Sequence, residues 1–324
     1  MIISNEKLKT LFKGAVSFEE KDSYLTPMRY SREQIEYMAR PEYDWGWRMR
    51  AGFTGCVRIE MVTTATTLSL EYRASHSHTR SNTVDIYVDN DLVESYAIRD
   101  KLEGKITVSL KTEEKQNGEK RLVRAYMPCE CRFDIKNVEI DATECEPTPK
   151  AEKTMLIFGD SITQGAGPAL SSYAYANILQ RLTGYEIIAQ GIGGYRFEPQ
   201  DLRRVEGVEP DMLLVFLGTN YYDTACEKKG YDYKQATEQY FARLTELYKD
   251  TPITVITPLY RTNAYEWERF LWCIQTIKNA CKPYKIKVID GFDLMPSDTK
   301  YLADGVHPNI MGTVCVANKI FEVY

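Results

Sequence analysis

The sequence predicts an α/β protein in two parts: an N-terminal antiparallel β-sandwich of the jelly-roll type, then a three-layer α/β/α domain built on a parallel sheet. Residues 53–141 alternate apolar and polar side chains in twos, which is typical of half-buried strands. Beyond residue 153, apolar runs of strand length alternate with amphipathic stretches of helix length, which is typical of a parallel sheet covered on both faces. Residues 144–153 contain two prolines among charged residues and are interpreted as a linker. The predicted domains are therefore residues 1–146 and 147–324.

The predicted strands of the first part are short, and polar turn residues separate them. They cover residues 56–61, 67–72, 83–88, 105–110, 121–127 and 133–140. Several short antiparallel strands of this kind favour a sandwich, although the pattern does not determine their order. Ahead of them, residues 31–38 are predicted to form one short helix with Ser31 as its N-cap.

The second part alternates strand and helix candidates. The strand candidates are residues 155–158, 187–189, 212–217, 253–256 and 288–289. The helix candidates are residues 173–182, 200–205, 233–248, 267–281 and 309–321. In sheets of this class the chemistry gathers beyond the carboxyl ends of the strands. Polar residues that directly follow these strands are therefore the first candidates for a functional site.

Composition excludes several classes of function. The chain has 324 residues, 44% of them hydrophobic, and a net charge of −5, so neither a nucleic-acid footprint nor a polybasic membrane patch is indicated. No apolar run approaches the ~20 residues that span a bilayer. Residues 1–7 lack the layout of a signal peptide, and the eight cysteines form no CxxC pair, so reduced thiols are expected. We expect a cytoplasmic protein unless a leader has been removed.

Two segments carry the residue types of nucleophilic catalysis. Ser161 lies in the run Gly-Asp-Ser-Ile-Thr-Gln-Gly at 159–165, directly after an apolar strand candidate, and Asp304 and His307 lie three residues apart in a late loop. A hydroxyl needs a base to take its proton, and the base works best when a third group orients it. His307 is the single histidine of the second part. These observations favour a hydrolase, while Ser161 as a helix N-cap and Asp304 as a turn former are the structural alternatives.

Two glycine-containing turns complete a set of four ordered blocks. The turn at 191–194 and the Gly-Thr-Asn run at 218–220 each follow a strand candidate. Together with the serine block and the Asp-x-x-His block, they resemble the SGNH (GDSL-like) esterase superfamily over about residues 154–322. A β-sandwich ahead of such a domain further resembles carbohydrate esterase family 2 and related two-domain deacetylases.

The resemblance implies a role for each of these residues. Ser161 is the nucleophile, His307 is the general base, and Asp304 orients His307, although some relatives of family 2 use a backbone carbonyl in place of the acid. The backbone N–H groups of Ser161 and Gly194 and the side-chain amide of Asn220 form the oxyanion hole. A plain turn glycine and a loop-capping asparagine are the alternatives for the last two. No metal or organic cofactor is implied.

Two departures from the family pattern are visible. The usual Asn of the second block is replaced by Gln190, which puts its turn-bracing hydrogen bond in question. Tyr221 and Tyr222 follow Asn220, where Asp is common. These two aromatic residues either contact substrate at the rim of the pocket or pack against the protein.

Two motifs of the first part have both a functional and a structural interpretation. Trp45 and Trp47 are predicted to lie on one face of an extended segment, as a sugar-stacking platform or as an edge of the core. The pairs His76–His78 and Cys129–Cys131 could bind zinc if their strands adjoin. A surface and core interpretation is favoured for these pairs, so no metal site is predicted.

The favoured function is a serine esterase that removes small acyl groups, acetyl above all, from carbohydrate hydroxyls through an acyl-enzyme. Its partner would be an acylated oligosaccharide or another small ester. A lysophospholipase, thioesterase or broad arylesterase with the same machinery is the first alternative. A carbohydrate-binding protein with a decayed esterase domain is the alternative outside enzymes. The sequence does not indicate an oligomeric state.

Overall fold

Two antiparallel sheets followed by one parallel sheet make up the computed structural model, which describes residues 1–41, 43–75, 82–98, 101–113 and 118–324. The N-terminal elements are α1 (Asn5–Leu11), β1 (Phe12–Lys13), β2 (Ser17–Lys21), β3 (Tyr24–Met28), α2 (Arg32–Met38), α3 (Trp45–Ala51), β4 (Arg58–Thr63), β5 (Thr67–Ala74), β6 (Thr83–Val88), β7 (Asp91–Ala97), β8 (Glu103–Ser109), β9 (Arg121–Tyr126), β10 (Phe133–Ile140) and β11 (Cys145–Pro147). This order of elements confirms the predicted sandwich.

The two antiparallel sheets have the strand orders β1-β4-β9-β6-β7, with β11 beside β4, and β2-β3-β10-β5-β8. Apolar side chains from both sheets fill the space between them, and Ile59, Leu70, Ile86, Val123 and Ile135 are at most 1% exposed. Consecutive strands such as β4 and β5, or β8 and β9, fall in opposite sheets. The chain therefore crosses the sandwich repeatedly, as a jelly roll does.

Several N-terminal elements were not anticipated from the sequence. Strands β1, β2, β7 and β11 lie at or beside sheet edges, where a strand needs fewer apolar residues. Strand β11 falls inside the segment interpreted as a linker and pairs with β4. Trp45 and Trp47 do not lie on an extended segment: Asp44 accepts a hydrogen bond from the Trp47 N–H and caps helix α3. Residues two apart on a helix face different directions, so Trp47 is buried while Trp45 is 74% exposed.

The C-terminal elements are β12 (Thr154–Gly159), α4 (Ser161–Gln164), α5 (Tyr175–Thr183), β13 (Glu186–Gly191), β14 (Met212–Phe216), α6 (Thr224–Lys228), α7 (Tyr233–Leu247), β15 (Ile253–Ile256), α8 (Trp267–Cys281), β16 (Ile286–Ile289) and α9 (Ile310–Phe321). All pairings in this sheet are parallel, in the order β13-β12-β14-β15-β16. Helices α5 and α9 cover one face, and α7 and α8 cover the other. This arrangement confirms the predicted three layers.

One predicted helix is absent from the C-terminal region that the structure describes. Residues 200–205 contribute only to a single 3-10 turn at Pro199–Asp201, after which Leu202 is extended. Leu202, Val205 and Val208 recur every three residues and are buried among the residues of the α7 and α8 layer. Packing therefore accounts for the apolar spacing without a helix.

The residues that the structure describes contain no group of three or more His, Cys, Asp and Glu side chains arranged to hold a metal ion. His76 and His78 lie outside the described residues, while Cys129 and Cys131 are fully buried. Helices long and apolar enough to cross a bilayer are likewise missing from the described parts of the chain.

Candidate active site

Ser161 lies at the carboxyl end of the central part of the parallel sheet. Strand β12 ends at Gly159, and Asp160 caps the short helix α4 by accepting the Ile162 N–H at 3.1 Å. Ser161 is the first residue of α4, and Gly165, with a φ of 107°, ends the helix after one turn. The left-handed conformation favours glycine at that position. The sharp strand-to-helix turn leaves the Ser161 hydroxyl half-buried at the surface of a cavity.

His307 reaches Ser161 from a loop near the C-terminus. Its Nε2 lies 2.8 Å from the Ser161 Oγ, and its Nδ1 lies 2.7 Å from Oδ2 of Asp304. The other carboxylate oxygen of Asp304 accepts the backbone N–H groups of Val306 at 3.0 Å and His307 at 2.9 Å. Three of the residues expected from sequence therefore form one continuous hydrogen-bonded chain, in which a side-chain carboxylate contacts the imidazole.

The electrostatics of this chain suit a base that takes up a proton. The hydrogen bond from His307 holds the pKa of Asp304 well below its usual range, so the carboxylate stays ionised. Burial opposes protonation of His307, but the hydrogen bond and charge of Asp304 outweigh it and raise the pKa of His307 above its ordinary 6.5. Burial raises the pKa of Asp160 to about 6, and this carboxyl group shapes the turn beneath Ser161.

Gly194 and Asn220 lie at the same cavity. Gly194 has a φ of 74°, which a side chain would strain. The Asn220 Nδ2 donates one hydrogen bond, to the Tyr195 carbonyl at 3.0 Å, which leaves the second amide hydrogen available. Both residues therefore line the cavity that holds Ser161, and each carries an N–H group.

Both parts of the chain enclose the cavity, whose volume is about 500 Å³. Its lining residues from the N-terminal region are Met49, Arg50, Phe53 and Glu130, and those from the C-terminal region are Ser161, Gln164, Ala166, Gly193, Gly194, Asn220, Arg261, Val306 and His307. The sandwich and the helices that precede it therefore supply part of the wall around Ser161.

Arg29, which sequence reasoning missed, supports this wall. Its side chain is 0% exposed and donates to the carbonyls of Ala189 and Gly191 on edge strand β13, at 2.9 and 2.8 Å. It also donates to the carbonyls of Phe53 at 2.8 Å and Arg50 at 3.0 Å. One guanidinium thus joins helix α3 to the strand that leads into the Gly194 turn. No local sequence pattern marks such a residue, because its partners are up to 162 positions away.

Gln190 has a different partner from the one that the family pattern suggests. Its side-chain amide pairs reciprocally with the amide of Gln34 on α2, at 2.9 Å in both directions, and also donates to the Arg29 carbonyl. Trp47 donates to the Gly194 carbonyl at 3.2 Å. The turn is therefore braced by the N-terminal helices.

Tyr221 and Tyr222 are not among the residues that line this cavity. Tyr222 is 4% exposed and packs edge-on against Phe270. The ring of Tyr221 packs against Trp47 and lies beneath the Arg196 guanidinium, 4.5 Å from its ring centroid. The structure therefore favours packing over substrate contact for both tyrosines.

Comparison with known proteins agrees with this architecture. The salicylyl-acyltransferase SsfX3 from a tetracycline biosynthetic pathway has a TM-score of 0.76 at 20% identity, over 95% of this chain and 92% of that one. The acetyl xylan esterase Est2A from the rumen bacterium Butyrivibrio proteoclasticus has a TM-score of 0.60 at 13% identity, over 84% and 90%. A family two carbohydrate esterase from Cellvibrio japonicus has a TM-score of 0.63 at 13% identity, over 100% and 96%. At such identities the likeness concerns the fold, and a search of curated proteins by sequence finds no match.

The parallel sheet, with Ser161 at the end of β12 and His307 contacting it from a loop near the C-terminus, defines an SGNH-type carboxylic ester hydrolase. This region belongs to the GDSL-like lipase/acylhydrolase family, whose model matches residues 157–313.

Proposed function

We propose that the protein is a serine esterase that removes acetyl groups from carbohydrate hydroxyls. The observation that carries the proposal is the hydrogen-bonded chain from Ser161 through His307 to Asp304, with distances of 2.8 and 2.7 Å. This arrangement contains a nucleophile, a base and a group that orients the base.

In the proposed mechanism Ser161 attacks the ester carbonyl while its proton passes to Nε2 of His307. Asp304 stabilises the imidazolium that forms. The N–H groups of Ser161 and Gly194 and the amide of Asn220 hold the oxyanion. His307 then protonates the oxygen of the leaving alcohol, the acyl group stays on Ser161, and a water molecule repeats the steps to release the acid.

Polar side chains at the cavity support a polar alcohol as the leaving group. Arg50, Glu130 and Arg261 are charged, and Gln164 and Asn220 add amides, beside apolar side chains such as Met49 and Phe53. A few placed polar groups in a largely apolar pocket orient a ligand and give specificity. The fold shared with an acetyl xylan esterase and a family two carbohydrate esterase supports acetyl as the acyl group and a sugar as the alcohol.

Ser161→Ala tests the proposed nucleophile. We expect hydrolysis of nitrophenyl acetate and of acetylated xylo-oligosaccharides, followed by mass spectrometry, to fall by up to about 10⁶-fold in kcat, as in other serine hydrolases whose triad acts as a unit. Ser109→Ala, at an exposed position at the end of β8, is the matched control. An unchanged rate for Ser161→Ala would reject the mechanism. Faster hydrolysis of long-chain than of acetyl esters would reject the acetyl preference.

Acyl transfer to an alcohol is a second candidate, and a specific cavity favours it. Beside the Ser161 cavity lies another of about 590 Å³, and Met49 and Phe53 line both. A second substrate bound there would compete with water for the acyl-enzyme, as the likeness to an acyltransferase suggests. Adding alcohol acceptors and measuring transfer product against free acetate separates the two activities. Acetate alone at saturating acceptor would exclude transfer.

A further inference from the structure

Arg50 places a positive charge beside the proposed oxyanion hole. Its Nη1 donates to the Gly193 carbonyl at 3.1 Å. A methyl group built on Gly194 would lie 3.9 Å from the same nitrogen, with nothing but Trp47 as its other near neighbour. The guanidinium therefore lies over the Gly193–Gly194 turn, inside the cavity that holds Ser161.

Arg50 has most of its hydrogen-bonding capacity left. A guanidinium carries five N–H donors, and among the described residues Arg50 uses one, on Gly193, with no carboxylate within ion-pair distance. Arg261, the other arginine of the cavity, differs. It donates to the carbonyl of Thr219 at 2.8 Å, to the Thr219 hydroxyl at 3.1 Å and twice to Asn263. Arg261 is thus committed to holding the Asn220 loop, whereas Arg50 has free donors.

A half-buried cation without an acidic partner favours an anion as its ligand. Removing a charge from water is costly unless it is paired. A carboxylate matches the planar fork of a guanidinium and accepts two parallel hydrogen bonds from it. Because an acetyl group has no second polar substituent, the anion would belong to the alcohol side of the substrate.

We propose that the substrate is an acylated acidic sugar, with a carboxylate near the ester, and that Arg50 binds this carboxylate. This inference rests on the proposed esterase function and narrows its substrate class. If this inference is right, the enzyme has a higher kcat/KM for an acylated acidic sugar than for a neutral sugar of the same shape. Arg50 is then the residue that causes the difference.

The test compares two monoacetylated sugars with the acetate on the same hydroxyl, methyl glucuronide and methyl glucoside. They differ only in a carboxylate against a hydroxymethyl group. We expect Arg50→Gln to lower kcat/KM for the glucuronide by about 10- to 100-fold, mostly through KM, since a hydrogen bond to a charged group is lost. The glucoside lacks the carboxylate and should lose less, so the ratio of kcat/KM for the glucuronide to that for the glucoside should fall by about tenfold or more in Arg50→Gln. Arg32→Gln, at an exposed position at the start of α2 and outside both cavities, is the control.

Each other outcome has a defined meaning. Equal kcat/KM of the unaltered enzyme for both sugars, with acetate release intact, would overturn the acidic-sugar inference and leave the esterase proposal standing. An equal fall in kcat for both sugars in Arg50→Gln would mark Arg50 as a support of the turn and would also overturn it. If the unaltered enzyme does not hydrolyse nitrophenyl acetate at all, the esterase function itself is refuted. In the Ser161→Ala background, calorimetric binding of the glucuronide should weaken when Arg50→Gln is added.

Discussion

Replacing Arg29 by methionine should destabilise the whole protein. The side chain is fully buried, and its four hydrogen bonds, of 2.8 to 3.0 Å, all go to backbone carbonyls. Two of the carbonyls lie on edge strand β13 and two on the N-terminal segment at α3. Methionine fills a similar volume but donates nothing, so the variant isolates the loss of hydrogen bonds.

The magnitude follows from the number and kind of these bonds. A hydrogen bond that involves a charged group contributes about 1.5–3 kcal/mol, and a buried acceptor left alone costs about 1–3 kcal/mol. The bonds share one cation, so their effects do not add, and removing a buried charge regains part of its desolvation cost. We therefore expect the free energy of unfolding to fall by about 3–5 kcal/mol, which corresponds to the loss of about one charged hydrogen bond together with one buried acceptor left unpaired.

Urea unfolding followed by circular dichroism measures this change, with Arg32→Met as the control. Arg32 is exposed at the start of α2, so its replacement should change stability by less than about 0.5 kcal/mol. We also expect kcat/KM of Arg29→Met to fall, because the strand leading to Gly194 loses its anchor. A loss of stability below about 1 kcal/mol would refute the reasoning, since that value corresponds to a single ordinary hydrogen bond.

Three further outcomes test the site. Asp304→Asn should lower kcat by about 10³–10⁴-fold without changing the fold, and an effect under tenfold would contradict an orienting role. The plot of kcat/KM against pH should rise with a midpoint above 6.5, because His307 must be neutral to accept a proton and its pKa is raised; a midpoint below 6.5 would contradict this. In Asp304→Asn that midpoint should move down. Asn220→Ala should lower kcat by about 10²–10³-fold with little change in KM, and a change in KM alone would contradict an oxyanion role.

The C-terminal region was predictable because its signals are local. Strand β15 begins and ends where its apolar run does, and helix α8 also matches its predicted bounds. Three of the four blocks follow a strand, and parallel topology then brings Ser161, Gly194 and Asn220 to one edge of the sheet. Short-range pattern and one topological rule were therefore enough to bring these three residues together, whereas His307 reaches them from a loop beyond the last strand.

The contribution of the N-terminal region could not be predicted in the same way. Arg29 and Gln34 act on partners some 160 positions away, and nothing in their sequence neighbourhood distinguishes them from surface residues. Helix α3 could have been predicted from the sequence, since Asp44 is a favourable N-cap residue three positions ahead of Trp47. The edge strands carry too few apolar residues to stand out from loops.

The brace formed by Arg29 and Gln34 has a consequence for how such chains can be recombined. A hydrolase domain grafted behind an unrelated sandwich would lose the donors to β13 and the partner of Gln190 along with the wall of its pocket. A second contact between the sandwich and the C-terminal region, in which Asp85 on β6 accepts the Ser172 N–H at 2.7 Å, would be lost as well. A chimera should therefore keep the segment from β3 to α3 together with the catalytic half, because hydrogen bonds from that segment hold the wall of the active-site cavity.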